Sequence, residues 1–372
     1  MTVFPESWSR LEAVFSHDWL TGMRGGERVL ELLCQGFPRA PVCTLIHNRK
    51  AISPAINAHR VLASPLQHVP GIFGHYRYFL PLFPWAVSSI RTPPGELLLS
   101  TSHCIAKGLR APPPMKHLCY CFTPMRYCWT FYTEYFGGNP VKKCLVSPLL
   151  SALREWDLRS SERVHHFVTL SRHVRDRIRR FYDREADVGY PPVNTEFFTP
   201  DPAAETEAFD LIVSALVPYK CIDIAVRAYT RLGYPLKIVG VGTETEKLRR
   251  LAGANVSFLG WQGDEAIRDL YRRCRCLVFP GEEDFGIVPV EAQACGRPVV
   301  AFGRGGALES IEENVTGVFF RDQTMEESLL NAVEECAGRK WDPAAIRRHA
   351  EQFAPQRFVD GLDQGIRRCL AS

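Results

Sequence analysis

The sequence predicts an α/β protein built from two doubly wound parallel-sheet lobes, and three observations carry that expectation. Short apolar runs alternate with amphipathic helical segments from one end to the other, the pattern of strands buried between helices. At 372 residues the chain is long enough for two domains. Near its middle stands Tyr190-Pro191-Pro192-Val193-Asn194, where two adjacent prolines can continue neither a helix nor a central strand, and the same alternation restarts beyond it.

In the first half, residues 11–16 read as a strand running into His17-Asp18-Trp19-Leu20-Thr21-Gly22-Met23-Arg24-Gly25-Gly26-Glu27, a glycine-bearing loop that opens a helix over 28–34. A second strand over 96–101 ends at Ser102-His103, and a third over 117–122 ends at Thr123-Pro124. The stretch 161–169 becomes strand-like after its first turn, and 171–182 reads as a helix capped by Ser171. In the second half, strands are expected over 210–214, 236–239, 256–259, 276–279 and 298–301. Helices over 220–231, 246–252, 264–273 and 289–295 separate them, and helical patterns finish the chain. The resulting domains are 1–192, 193–350 and a C-terminal helix over 351–372 that packs back on the first. Such lobes take ligands at the carboxyl ends of their strands, in a cleft.

Composition narrows the function. The net charge of +4 is too weak for a dedicated nucleic-acid binder, but it hides an asymmetry. Residues 1–190 carry 24 basic and 14 acidic side chains, whereas 191–372 carry 21 and 27. Glu96 is the only acid between Glu31 and Glu134, a stretch with ten lysines and arginines. An anionic partner is one reading, either a phosphate-bearing substrate or an acidic membrane surface; ordinary surface variation is the other. The aromatic run Phe73, Tyr76, Tyr78, Phe79, Phe83 and Trp85 beside Arg77 is either core or a membrane-docking segment. Thirteen cysteines without a CxxC pair or zinc spacing suit buried thiols in a reducing cytoplasm. Residues 1–10 lack a signal peptide, and the most apolar stretch, 79–90, is broken by Pro81 and Pro84 and too short to span a bilayer.

The richest stretch is Phe279-Pro280-Gly281-Glu282-Glu283-Asp284-Phe285-Gly286-Ile287-Val288-Pro289-Val290-Glu291. Here a strand ends, a loop follows, and Pro289 occupies the first turn of a helix, where proline is tolerated. Glu283 then lies in the loop and Glu291 in the first turn, with the Phe285 and Gly286 amides at a helix start suited to an anion. Two carboxylates flanking an anion site suit a ligand that is anionic in its middle and rich in hydroxyls at both ends, such as a nucleotide sugar. Gly240-Val241-Gly242 follows a strand, but with Thr245 at the third glycine position it is a poor dinucleotide fingerprint.

The two glutamates, followed by Ala292-Gln293-Ala294-Cys295-Gly296 and Arg297-Pro298-Val299-Val300-Ala301, resemble the donor-site signature of retaining glycosyltransferases of family 4, which have the GT-B fold. The segment Val213-Ser214-Ala215-Leu216-Val217-Pro218-Tyr219-Lys220 resembles the family's donor-phosphate loop, and Phe258-Leu259-Gly260 the strand near the base. The loop from His17 to Glu27 resembles the acceptor-lobe loop of bacterial cell-surface polysaccharide transferases. The resemblance implies that Glu291 binds ribose hydroxyls and Glu283 those of the transferred sugar. Lys220 neutralises the diphosphate beside the Phe285 and Gly286 amides. Gly260 lines the donor site. Asp18, Gly22, Arg24, Gly25 and Gly26 form an acceptor or phosphate loop, the last two glycines letting backbone come close. It further implies a hexose donor, with mannose the leading sugar, and a saccharide or polyprenyl-diphosphate-linked acceptor. A cytoplasmic place, peripheral on the inner membrane face, follows from that acceptor. Without an Asp-x-Asp pair, transfer is expected to need neither metal nor cofactor. Retention would be a same-face substitution in which the leaving phosphate helps deprotonate the acceptor.

Two positions depart from the family pattern. Ala215 stands where an arginine is common, so Arg126 or Arg24 would supply the charge; Phe122 stands where a histidine is common, so His103 would substitute for it. These departures keep open a non-catalytic nucleotide-sugar-binding subunit. A nucleotide-sugar epimerase of the same fold is the rival enzyme, and a dehydrogenase is weakened by the incomplete glycine fingerprint.

Overall fold

Among the described residues every strand pairing is parallel, in two separate sheets. The first has the order β3-β2-β1-β4-β5-β6-β7, with β1 (Ala13–His17), β2 (Val42–Thr44), β3 (Val61–Ala63), β4 (Leu97–Ser102), β5 (Lys116–Cys121), β6 (His166–Thr169) and β7 (Asp187–Val188). The second has the order β10-β9-β8-β11-β12-β13, with β8 (Asp210–Val213), β9 (Leu236–Val239), β10 (Val256–Gly260), β11 (Leu277–Phe279), β12 (Val299–Phe302) and β13 (Gly317–Phe320). This computed structural model describes residues 3–129 and 140–372. It divides into two compact units, Met1–Tyr190 with Phe358–Ser372, and Pro191–Arg357.

Strand burial explains the continuous apolar runs. Every residue of β1 and of β4 is buried, so both faces of each strand are covered and no polar alternation is possible. In the second unit the helix Ile222–Leu232 lays Ile222, Val226 and Tyr229 into a core with Leu236, Ile238 and Val300. Below it the Tyr229 hydroxyl donates to Asp210 at 2.7 Å, and Arg275 adds two contacts to the same carboxylate, so this buried acid at the start of β8 is paired.

The last helix, Pro355–Ala371, contributes its residues from Phe358 onward to the first unit. The Phe358 ring meets Tyr120 edge-on at 5.3 Å, and Trp8 Nε1 donates to Asp363 at 2.9 Å. Gly365 sits where a Cβ would come within 2.7 Å of Val168, which lets the helix lie close to β6.

The structure moves several expected boundaries. The helix expected from residue 28 begins at Gly25, because the Glu27 carboxylate accepts the Arg24 backbone N–H and closes its first turn. Gly25 and Gly26 are therefore helical. The helix expected from 289 begins at Ile287, which moves Glu291 from the first turn to the second. Lys220 belongs to the 3₁₀ turn Pro218–Lys220, and Cys221, at φ 51°, separates it from the following helix. The stretch from 161 completes the helix Pro140–Glu162 before β6 begins. Strands β2, β3, β7 and β13 carry no expectation above; the first three are two or three residues long, too short to display a period. Among the described residues no helix is long and apolar enough to cross a membrane.

Candidate active site

In each sheet the strand order reverses once, between β1 and β4 and between β8 and β11. Loops leaving neighbouring strands in opposite directions open a crevice at such a point, beyond the strands' carboxyl ends. The chemistry-bearing residues of each unit collect there.

In the second unit, the loop after β8 brings Lys220 to the loop after β11, where its Nζ forms an ion pair with the Glu283 carboxylate. Glycines make the approach possible. A Cβ on Gly281 would stand 3.0 Å from the Lys220 Cα, and one on Gly306 would stand 2.2 Å from the Phe285 Cα. The Gly306 N–H also donates to the Glu283 carbonyl at 2.8 Å, tying the loop after β12 to this one. The two side chains retain 13% and 24% of their exposure, so the pair is shielded but reachable by a ligand.

Three residues later Gly286, at φ +98°, starts the helix Ile287–Ala294. Only glycine adopts that backbone cheaply, and it turns the chain abruptly from loop to helix. Phe285 does not line a site with its ring, which is buried edge-on against Phe353 at 5.3 Å; any ligand contact from this residue is a backbone contact. On the second helical turn the Glu291 carboxylate accepts the Tyr271 hydroxyl at 3.1 Å. Tyr271 is fully buried, and burial together with the Glu291 charge pushes its phenol far above the ordinary value, so it stays a donor at any physiological pH. Gly260 ends β10, the edge strand two places from β8, and is not brought to the Lys220–Glu283 pair by any contact in the sheet.

The Gly240-Val241-Gly242 motif has a structural purpose. A Cβ on Gly240 would lie 1.8 Å from the Ser214 carbonyl oxygen, and one on Gly242 2.1 Å from that of Leu216. These glycines let the β9 loop press against the loop that leads to Lys220. The exposed Ala215 sits in that loop.

In the first unit, Asp18 follows β1 with its carboxylate fully buried. Oδ1 accepts the backbone N–H groups of Ile105 and Ala106 at 2.6 and 2.7 Å. Oδ2 accepts those of His103 and Cys104 at 2.6 and 3.1 Å, and lies 2.8 Å from His103 Nδ1. Burial alone would raise this carboxyl, but the charge and hydrogen bonds of His103 outweigh it and hold Asp18 far below the usual carboxylate range. Asp18 therefore organises the loop after β4 and is not presented to a ligand, which revises the ligand-loop role expected for it. The contact to Nδ1 also orients His103, whose side chain keeps 28% exposure and stands edge-on to Trp19 at 4.6 Å.

Beside this pair His17 Nδ1 contacts Thr101 Oγ1 at 2.8 Å, and its Nε2 lies 3.9 Å from the buried Glu27. Burial opposes the ionised Glu27, yet charge attraction to the nearby His17 lowers its pKa. A Cβ on Gly26 would come within 3.3 Å of the Phe122 ring, so glycine is what lets the helix start pack there. Phe122 itself lies 6.4 Å from the His103 ring, within one aromatic cluster at the ends of β4 and β5. Arg126 opens the short helix Arg126–Trp129 beyond β5, and Arg24 is exposed just before the helix at Gly25. Gly22 has open space around it and no steric reason to be glycine.

The structure thus brings together Lys220, Glu283 and the Gly286 turn in one unit, and Asp18, His103 and Gly26 in the other. His17, Trp19 and Glu27 were read only as members of the glycine-bearing loop, with no role of their own. Tyr271 was missed, because a buried tyrosine in a helical segment reads as core. So was a buried network in which Asp157 pairs with Lys107 and accepts hydrogen bonds from Trp129 Nε1 and the Tyr182 hydroxyl at 2.8 and 2.7 Å. It supports the far end of the loop held by Asp18.

Two Rossmann-type parallel sheets with these strand orders define the GT-B architecture, and solved structures agree. The Anabaena protein HepE, in complex with UDP and glucose, superposes with a TM-score of 0.68 at 19% identity, over 97% of this chain and 100% of that one. Sucrose-phosphate synthase from Thermosynechococcus elongatus gives 0.69 at 18% identity, over 96% and 98%. At the level of sequence, residues 193–352 match the family described as glycosyl transferases group 1, consistent with the family-4 resemblance. The D-inositol 3-phosphate glycosyltransferase of Rhodococcus erythropolis is 32% identical over 184 residues, 43% of this chain and 41% of that protein. That of Mycolicibacterium smegmatis is 31% identical over 210 residues, 50% and 48%. The chain therefore spans less than half the length of these curated relatives.

Proposed function

We propose that the chain is a retaining glycosyltransferase that moves a hexose, mannose first among them, from a nucleoside diphosphate sugar onto a saccharide or polyprenyl-diphosphate-linked acceptor during cell-surface polysaccharide synthesis. The observation that carries the reading is the Lys220–Glu283 pair at the carboxyl edge of β8 and β11, one short loop from the helix that holds Glu291. The donor separates the pair. Lys220 turns to the diphosphate, Glu283 accepts hydroxyls of the transferred sugar, and Glu291, steadied by Tyr271, accepts those of the ribose. As the sugar–phosphate bond breaks, charge develops on the leaving diphosphate, which Lys220 and the amides at the Gly286 helix start stabilise. The acceptor oxygen bonds to the same face of the sugar carbon, and its proton passes to a leaving phosphate oxygen. In the first unit His103, fixed through Nδ1 by Asp18, offers its other nitrogen to an acceptor hydroxyl.

Related names support a nucleotide-sugar reading: HepE binds UDP and glucose, and the curated relatives are glycosyltransferases of D-inositol 3-phosphate. A lipid-linked acceptor places the enzyme in the cytoplasm, peripheral on the inner membrane face, with contact through the first domain. The reading uses no divalent metal, so a chelator leaves the rate unchanged. Incubating the protein with nucleotide sugars and a membrane extract, beside Glu291→Ala, tests it; equal turnover by the variant removes the donor-site assignment. Phe122 and Ala215 favour one competing reading, a nucleotide-sugar-binding subunit, which predicts donor binding without transfer or hydrolysis. An epimerase would instead convert the donor with no acceptor present.

A further inference from the structure

Between Gly71 and Ser89 the first unit carries a helical segment with large apolar residues on both its buried and its exposed face. The helix Ile72–His75, the 3₁₀ helix Tyr76–Leu82 and the helix Phe83–Ser88 follow one another without a break. Tyr76, Leu80, Phe83 and Val87, three or four residues apart, point inward and are buried in the core with Trp19 and Leu98. Tyr78, Leu82 and Trp85, at the same spacing, occupy the opposite face and are 83%, 47% and 56% exposed; Phe73, one turn earlier, is 40% exposed. Four large apolar side chains standing together in water on one short segment exceed the scatter of single exposed residues that folding tolerates.

The charge along this part of the chain is one-signed. Residues 32–95 contain no aspartate or glutamate and six arginines and lysines, among them the exposed Arg77 within the segment and the exposed Arg91 just beyond its end. Aromatic and leucine side chains amid basic residues match the boundary of an anionic bilayer, where rings enter the headgroup layer and guanidinium groups meet lipid phosphates. Trp19 ties the segment to the candidate site, because its ring lies 5.0 Å from Tyr76 and 6.1 Å from Phe83 on one side and 4.6 Å from His103 on the other.

We propose that the face formed by Phe73, Tyr78, Leu82 and Trp85, with Arg77 and Arg91, docks on an anionic lipid surface and so presents His103 to an amphiphilic acceptor held in that surface. The second clause rests on the transferase reading; the first does not. Docking gives the site an acceptor confined to two dimensions, so the face contributes to acceptor capture and leaves the donor site untouched.

Flotation of the full chain with phosphatidylglycerol/phosphatidylethanolamine vesicles, against pure phosphatidylcholine vesicles, tests this. The wild-type chain floats with the anionic vesicles alone, and its binding falls as salt rises. The triple variant Tyr78→Ser, Leu82→Ser, Trp85→Ser keeps its melting temperature, since these side chains are exposed, and loses about tenfold or more in vesicle partitioning. Arg77→Glu loses about fivefold or more and carries the test if the triple variant fails to fold. Equal flotation of wild type and variants overturns the proposal, as does no flotation of the wild type. A wild-type dimer in solution that the triple variant turns into a monomer also overturns it, by assigning the face to a second copy. Thermal shifts with UDP and GDP run in parallel: absent shifts with intact flotation reject the transferase reading alone, and intact shifts with absent flotation reject the lipid face alone.

Discussion

Asp18 is the most exacting test of the first unit, because one buried carboxylate there satisfies five donors. Asp18→Asn keeps the shape and replaces one acceptor oxygen by an NH₂ group. If the amide places its oxygen at Oδ1, Ile105 and Ala106 keep their acceptor, and the N–H groups of His103 and Cys104 face another donor. Turned the other way, it strands Ile105 and Ala106. Either orientation leaves two buried backbone N–H groups unmet at roughly 1–3 kcal/mol each, so the expected loss is about 3–5 kcal/mol. Guanidinium unfolding followed by tryptophan fluorescence measures it. The pH dependence supplies a second signature. A carboxyl lowered in the folded state contributes stability that is present above its unfolded pKa, near 4, and is lost as pH falls through the folded one. The wild type therefore weakens below about pH 4, and the variant lacks that part of the acid limb. Transfer activity should fall along with stability, since His103 loses the partner that orients it, while nucleotide affinity in the other unit is unchanged. A stability loss below about 1 kcal/mol at pH 7 would refute the account of this loop.

Three further outcomes follow from the same reasoning. Lys220→Met removes the ammonium from a partly shielded ion pair and should weaken nucleoside diphosphate binding roughly 10- to 100-fold by calorimetry, with a stability change of only about 1 kcal/mol. Tyr271→Phe deletes the hydroxyl that steadies Glu291; nucleotide affinity should drop roughly three- to tenfold with kcat little altered, and an unchanged affinity would show that Glu291 needs no such support. His117 lies buried against Ser100, and burial together with His165, Arg163 and Lys107 lowers its pKa to about 3. Its native form is neutral, so the unfolded chain gains the proton first as pH falls below 6.5; stability should drop by about 2 kcal/mol from pH 7 to pH 5, and His117→Gln should flatten that slope.

What the sequence made legible and what it hid separate along a physical line. Glu283 could be placed in a loop and Glu291 on the next helix because both positions depend on local spacing across one strand-loop-helix passage, and the parallel-sheet class followed from runs such as 97–102 whose burial on both faces leaves no alternation. Lys220 could be singled out at the start of the passage after β8, but its pairing with Glu283 depends on β8 lying beside β11, 63 residues along the chain. Asp18 shows the same limit more sharply. It stood in a glycine-bearing loop and looked available to a ligand, yet its donors arrive 85 to 88 residues later, delivered by the register that sets Ser16 against Ser100 and His17 against Thr101. The glycines of Gly240-Val241-Gly242 looked like a nucleotide fingerprint because close approach to a phosphate and close approach to a carbonyl demand the same missing side chain; only the neighbouring loop, with the Ser214 oxygen 1.8 Å from a would-be Cβ, decides between them. A residue's chemistry is therefore local, but its availability is set by what the parallel register carries to it. For that reason Lys220 and His103, both held by a carboxylate yet still partly exposed, are the groups on which activity should depend most steeply, and Asp18, fully enclosed, should act through stability and orientation.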